Sequence, residues 1–256
     1  EKIRSVADKY PFLKWPFIRG VVALISSLVI GIQALTFSAS QFAEEEEEEL
    51  SPLAMTGAIL MAVRAAVVLV VLPASLISLL QKFITSNIIL NLIEGIIKII
   101  TFLVYLLLIA RMEDIKRVFM YHGAEHKTIF TYEAGLPLTV ENARQFGTLH
   151  PRCGTNFMFI VILISIFFFS FLGRPPLLQR ILYHLLLLPV IAGTSYEVLK
   201  LGAKDKVNPV IKLLATPGLY LQKITTKEPD DAMLEVAIAA LKAVLPEGEV
   251  GENAGL

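Results

Sequence analysis

The sequence predicts an all-α, polytopic helical membrane protein with about four full crossings, one re-entrant or interfacial helical segment, and a cytoplasmic helical segment and tail. Three observations carry that expectation. Apolar residues make up 55% of the 256 positions and charged residues only 18%, against about 45–50% and about 25% in an ordinary soluble domain. The mean hydropathy is +0.67, and the apolar excess is gathered into runs long enough to cross a core of about 30 Å. The basic residues, finally, concentrate on a subset of the segments that connect those runs.

Residues 1–19 are basic and contain Tyr10, Phe12, Trp15 and Phe17, an interfacial composition ahead of a membrane entry. Residues 20–38 hold no charge and form the first expected span. An acidic loop, 39–52, carries six consecutive glutamates from Glu44 to Glu49 and reads as a solvated connection. The second span, 53–80, is interrupted by Arg64 and Pro73, and a charge at Arg64 should face protein or water rather than lipid. Residues 88–110 are apolar but broken by Glu94, Gly95 and Lys98, with Glu94 and Lys98 spaced to pair on one helical face. A polar segment, 111–155, follows; 156–172 and 177–199 form a C-terminal helical pair, and 200–256 is a tail of soluble composition. Within the tail, Leu234, Ile238, Leu241 and Leu245 fall on one side of a helix expected over 231–245, with Asp230 as its N-cap. The threonine- and proline-containing stretch 217–229 reads as a packed loop.

The lysines and arginines give the orientation. Full crossing by all five apolar segments, with the N-terminus inside, leaves 8 basic residues inside and 13 outside, against the positive-inside tendency. If 88–110 enters and returns on one side, the balance becomes 19 inside and 2 outside. The expected organisation is therefore membrane helices over 1–110, a motif-bearing segment over 111–155, the helical pair and the tail, with the motif segment and both termini cytoplasmic. The 23 basic and 23 acidic residues cancel, so no nucleic-acid partner is expected; the bilayer is, together with possible membrane-protein partners. A single cysteine, Cys153, excludes an intramolecular disulfide and suits a reducing compartment.

Chemistry is concentrated in Tyr121-His122-Gly123-Ala124-Glu125-His126-Lys127. At about 3.6 residues per turn, His122, Glu125 and His126 share one helical face. Their His-x-x-Glu-His spacing is that of inverted zinc peptidases, in which both histidines ligate and the glutamate activates water. Further candidate ligands are Glu133, His150, Cys153 and the distant Glu197, any of which could complete a three-ligand site open to water. The expected cofactor is a divalent metal, zinc foremost, with Glu125 as the catalytic base of a metal-dependent hydrolase acting on a membrane-borne peptide or lipid. Two competing expectations stand beside it: a scaffold or assembly factor whose polar cluster is a structural knot, and a transporter using Arg64, Glu94 and Lys98. His184 reads as a satisfied core histidine.

Several blocks carry a resemblance. Tyr121 to Ile129, Leu138-Thr139-Val140-Glu141-Asn142 and His150-Pro151-Arg152-Cys153-Gly154-Thr155 are similar to segments of the YqhQ-like family of bacterial membrane proteins. So are Ser195-Tyr196-Glu197, Pro217-Gly218-Leu219 and Leu221 through Pro229. The resemblance runs from about Arg19 to Leu245 and implies a multi-pass protein of the bacterial cell membrane, sometimes labelled a predicted metal-dependent enzyme. It departs from the family pattern in lacking a glycine-rich opening segment.

Overall fold

The computed structural model describes residues 10–45, 57, 60, 72–73, 75–202 and 208–245, which are helical or in connections and contain no strand. A 3-10 turn, Pro11–Lys14, leads into α1 (Ile18–Glu45); then come α2 (Asn87–Ile109), α3 (Glu113–Glu133), α4 (Val140–Arg144), α5 (Gly154–Ser170), α6 (Leu177–Gly202), α7 (Pro209–Thr225) and α8 (Asp231–Val244). Among the described residues, three stretches are long and apolar enough to cross a membrane: Ile18–Ser38, Asn87–Ile109 and Leu178–Gly202. Helix α5 is apolar but, at 17 residues, shorter. Their outward faces carry Leu, Ile and Phe side chains exposed to the surroundings, which fits contact with lipid.

Three sequence expectations change here. Helix α1 runs on to Glu45, into the stretch read as an acidic loop, because no glycine or proline interrupts the chain between Gly31 and Pro52. The break expected at Glu94, Gly95 and Lys98 is absent: α2 is one unbroken helix of 23 residues. Its polar residues are accommodated by pairing, with Lys98 Nζ 2.8 Å from Glu94 Oε1. The stretch read as a packed loop is helical through Thr225, with Pro217 inside α7 and the loop confined to the residues before α8. Arg64, most of 53–80, and Glu46 to Glu49 lie outside the described residues.

The chain divides into two units. The first holds residues 1–102 and 161–197. In it the Glu197 carboxylate, near the end of α6, accepts from Arg19 Nε at 2.8 Å and from the Phe17 amide at 3.3 Å, tying the entry of α1 to α6. His184 Nδ1 donates to the Arg180 carbonyl at 2.7 Å and its ring lies 3.9 Å from that of Phe169, the satisfied packing expected of it.

The second unit holds residues 103–160 and 198–256. Helix α3 opens with Glu113 and Asp114, which complement its N-terminal partial charge. It stops at Gly135, whose φ of 66° is in the left-handed region. Gly135 N donates to Tyr132 O and Leu136 N to Thr131 O, the paired bonds of a Schellman end. Helix α4 is capped by Thr139 Oγ1, which accepts from Asn142 N, and α8 by Asp230, which accepts from Met233 N at 2.9 Å. A core of Ala124, Ala143, Met233 and Leu234, flanked by Met120, Val140 and Ala237, cements α3, α4 and α8 together. The small residues of α3 and α4 are what let α8 come close, and the packing leaves the histidine-bearing side of α3 free of that core.

Candidate metal centre

The site begins with a glycine. At Gly123, inside α3, a Cβ would stand 2.0 Å from the carbonyl oxygen of Lys227, so only a glycine lets that strand of backbone lie across the helix. The crossing is fastened by Lys227 N, which donates to Phe119 O at 2.8 Å. It brings the carbonyl of Thr225 to His122, whose Nδ1–H donates to it at 2.8 Å. One turn on, His126 Nδ1–H donates to the carbonyl of Thr148. Both imidazoles therefore carry a proton on Nδ1, which leaves Nε2 facing the site, to present its lone pair whenever the ring is neutral. Metal-binding histidines are oriented in this manner by their outer hydrogen bonds.

Cys153 supplies the third donor. Its Sγ lies 3.2 Å from His122 Nε2 and accepts from the Thr155 amide at 3.3 Å. One donor atom each from His122, His126 and Cys153 falls within 4.8 Å of the others. Two imidazoles and a thiolate suit zinc or another borderline-soft divalent ion, so the donor set fits the metal that the sequence pattern suggests. Burial pushes the Cys153 thiol up, but hydrogen bonds from His122, His126 and Thr155 outweigh it, and its pKa falls to about 5. Burial likewise disfavours the His122 imidazolium, yet the adjacent sulfur, the Thr225 carbonyl and Glu125 together raise its pKa. A thiolate beside an imidazolium is the state of the donors that a cation displaces by taking the proton's place.

Glu125 does not join this trio. It lies on the exposed side of α3 and lines the same cleft, of about 270 Å³, as His122, His126 and Cys153. His150 and Glu133 form a second pair in the wall of that cleft. His150 Nδ1 accepts from the Arg152 amide at 3.2 Å, which leaves its proton on Nε2, 3.3 Å from Glu133 Oε2. Arg152 also meets Glu133, at 3.3 Å. Burial holds His150 below its ordinary pKa in spite of the neighbouring carboxylate. Of the ligands proposed from sequence, then, His122, His126 and Cys153 converge; His150 and Glu133 satisfy each other beside them; and the carboxylate of Glu197 is engaged by Arg19.

The supporting residues were not foreseen. Buried Gln222 on α7 clamps the backbone of His150, accepting from its N–H at 2.8 Å and donating to its carbonyl at 2.9 Å. This pins the turn that carries Cys153. Thr148 and Thr225 act through their carbonyls, which leave no trace in side-chain pattern. Gly123 did offer a signal, since a glycine within a helix beside a candidate ligand often marks a close approach.

Comparison with known proteins agrees with the blocks that carry the resemblance. Residues 15–247 match a family model described as "Protein of unknown function (DUF1385)". The chain is 37% identical over 246 residues to a Bacillus subtilis (strain 168) protein titled "Uncharacterized protein YqhQ", covering 91% of this chain and 77% of that one. No solved structure matches the chain. With nearly its whole length matched, the chain belongs to the DUF1385, YqhQ-like family.

Proposed function

We propose that the protein is a membrane-bound, metal-dependent hydrolase whose centre is held by His122, His126 and Cys153. The carrying observation is the convergence of one donor atom each from His122, His126 and Cys153 within 4.8 Å, with both imidazoles oriented from behind by backbone carbonyls. A divalent cation bound there, zinc first by donor softness, supplies Lewis acidity toward a carbonyl or phosphoryl oxygen and lowers the pKa of water. Glu125, at the open side of the cleft, takes a proton from water and returns it to the leaving group. The His150–Glu133 pair lines the cleft wall, and the exposed guanidinium of Arg152 beside it is a donor to the substrate. The three crossing-length helices support a membrane-borne peptide or lipid as substrate. Six basic residues in 111–155 and seven in 200–256 support a cytoplasmic centre in the bacterial cell membrane.

The full chain, purified in detergent, is expected to carry about one equivalent of zinc per chain, lost in His122→Ala and Cys153→Ser. Absence of stoichiometric zinc, iron or manganese overturns the metal centre. Glu125→Gln should keep the metal and the fold while abolishing cleavage of fluorogenic lipid and membrane-anchored peptide probes. A Glu125→Gln protein that turns over like its parent overturns the role of Glu125. Metal retained without turnover of either probe class by the parent favours a structural knot.

A further inference from the structure

A second polar cluster lies in the first unit. Glu94, on α2, is only 4% exposed. Its carboxylate meets Lys98 at 2.8 Å, Arg180 at 2.6 Å and Arg174 at 3.0 Å. Three cations against one carboxylate leave an excess of two positive charges. Among the described side chains of this unit the other carboxylate, Glu197, is engaged by Arg19. The Nε–H of Arg174 is moreover buried without an acceptor. Glu94 needs one partner to be neutralised; three are more than its own burial explains, and like charges gathered around one carboxylate repel unless a further anion completes them.

The space for such an anion is there. A cleft of about 240 Å³ has Asn91, Glu94, Lys98 and Arg180 at its polar part and Phe102, Ile162 and Ile166 among its apolar walls, with Arg174 behind Glu94. Arg180 is in the first turn of α6, and Arg174 in the connection just before it. The cluster thus joins the start of α6 to the first half of α2, whose eighth residue is Glu94 and whose middle residue is Lys98. Guanidinium groups present forked donors that match phosphate oxygens, and lysine adds a point charge.

We propose that Lys98 and Arg180, backed by Arg174, form a binding site for a phosphate group, which neutralises the positive charge in excess of Glu94. The apolar walls suit the first part of an acyl chain, so a phospholipid headgroup and free phosphate are the two sources to separate. The site is independent of the metal centre and stands or falls without it.

The test uses the full chain, in detergent for inorganic phosphate and in nanodiscs of phosphatidylglycerol or of a phosphate-free glycolipid for the lipid arm. Native mass spectrometry reads retained lipid, and a thermal shift reads phosphate. Saturable stabilisation by inorganic phosphate assigns a free anion; selective retention of phosphatidylglycerol without it assigns a headgroup. Arg180→Gln leaves Glu94 two partners and should fold, with binding weakened about tenfold or more, the effect of losing a charged hydrogen bond. Glu94→Gln raises the positive excess and should strengthen binding. The proposal is overturned if neither ligand binds, if Arg180→Gln binds as the parent does, or if Glu94→Gln folds and loses binding. It is equally overturned if binding requires replacing Glu44 to Glu49 by glutamine, since the chain's own acidic run is then the anion.

Discussion

Replacing Gly123 by alanine sets two known effects against each other. Alanine within a helix is favoured over glycine by about 1 kcal/mol, so propensity alone forecasts a more stable protein. The structure forecasts the reverse. The added Cβ would stand 2.0 Å from the Lys227 carbonyl oxygen, where ordinary contact begins at 3.4 Å, so backbone must retreat by about 1.4 Å. That retreat strains or breaks the bond from Lys227 N to Phe119 O and draws the Thr225 carbonyl away from His122. Overpacking costs about 1–3 kcal/mol and a lost hydrogen bond about 1 kcal/mol, so net destabilisation of about 1–3 kcal/mol is expected. Loss of an outer hydrogen bond to a ligating histidine lowers metal affinity about 10–100-fold. Thermal unfolding and competition with a chromophoric chelator measure the two. Gly31→Ala in α1, where an added Cβ meets nothing within 4 Å, is the control and should be neutral or stabilising. A Gly123→Ala protein as stable as the control and binding zinc like its parent refutes the account.

Other outcomes follow from the same geometry. With a pKa of about 5, Cys153 in metal-free protein should be alkylated by iodoacetamide at a rate nearly flat from pH 6.5 to 8.5, falling only as pH drops toward 5, and zinc should protect it. A rate rising about fiftyfold across that range, as for an ordinary thiol of pKa about 8.5, would show that His122 and His126 do not hold it as a thiolate. Gln222→Ala strands two backbone groups of His150 and should cost about 2–4 kcal/mol, read in thermal unfolding, with weaker metal binding. Leu234→Ala opens a cavity in the core of α3, α4 and α8 and should destabilise by about 2–5 kcal/mol; a change under about 1 kcal/mol counts against that core.

What the sequence could reveal was whatever helical periodicity or local spacing determines. The shared face of His122, Glu125 and His126, the Glu94–Lys98 pair and the Asp230 cap all depend on residues within one or two turns of each other, and all appear in the structure. The choice among Cys153, His150, Glu133 and Glu197 depended on tertiary packing, and residue chemistry could not make it. A carboxylate 178 positions from an arginine gives no sign that the two will meet, as Glu197 and Arg19 do. Polar residues in α2 suggested a backbone break because their other partners, Arg174 and Arg180, lie some eighty positions away. Pro217 read as a helix breaker, yet a proline inside a helix costs only what the surrounding packing can offset. Backbone carbonyls that orient imidazoles are invisible to any reading of side chains.

The clamp by Gln222 has a consequence for how the protein matures. Gln222 lies 72 positions after His150, and Thr225 lies 103 after His122. A ribosome therefore releases His122 and the turn of Cys153 long before it makes Thr225 and Gln222, whereas the partners of His126 and Cys153 at Thr148 and Thr155 follow soon after. A nascent chain ending ahead of α7 holds His122 without its carbonyl partner and the turn of Cys153 without its clamp. The proposed metal centre is thus complete only once α7 has been made, and a product terminated before it should bind zinc more weakly than the full chain.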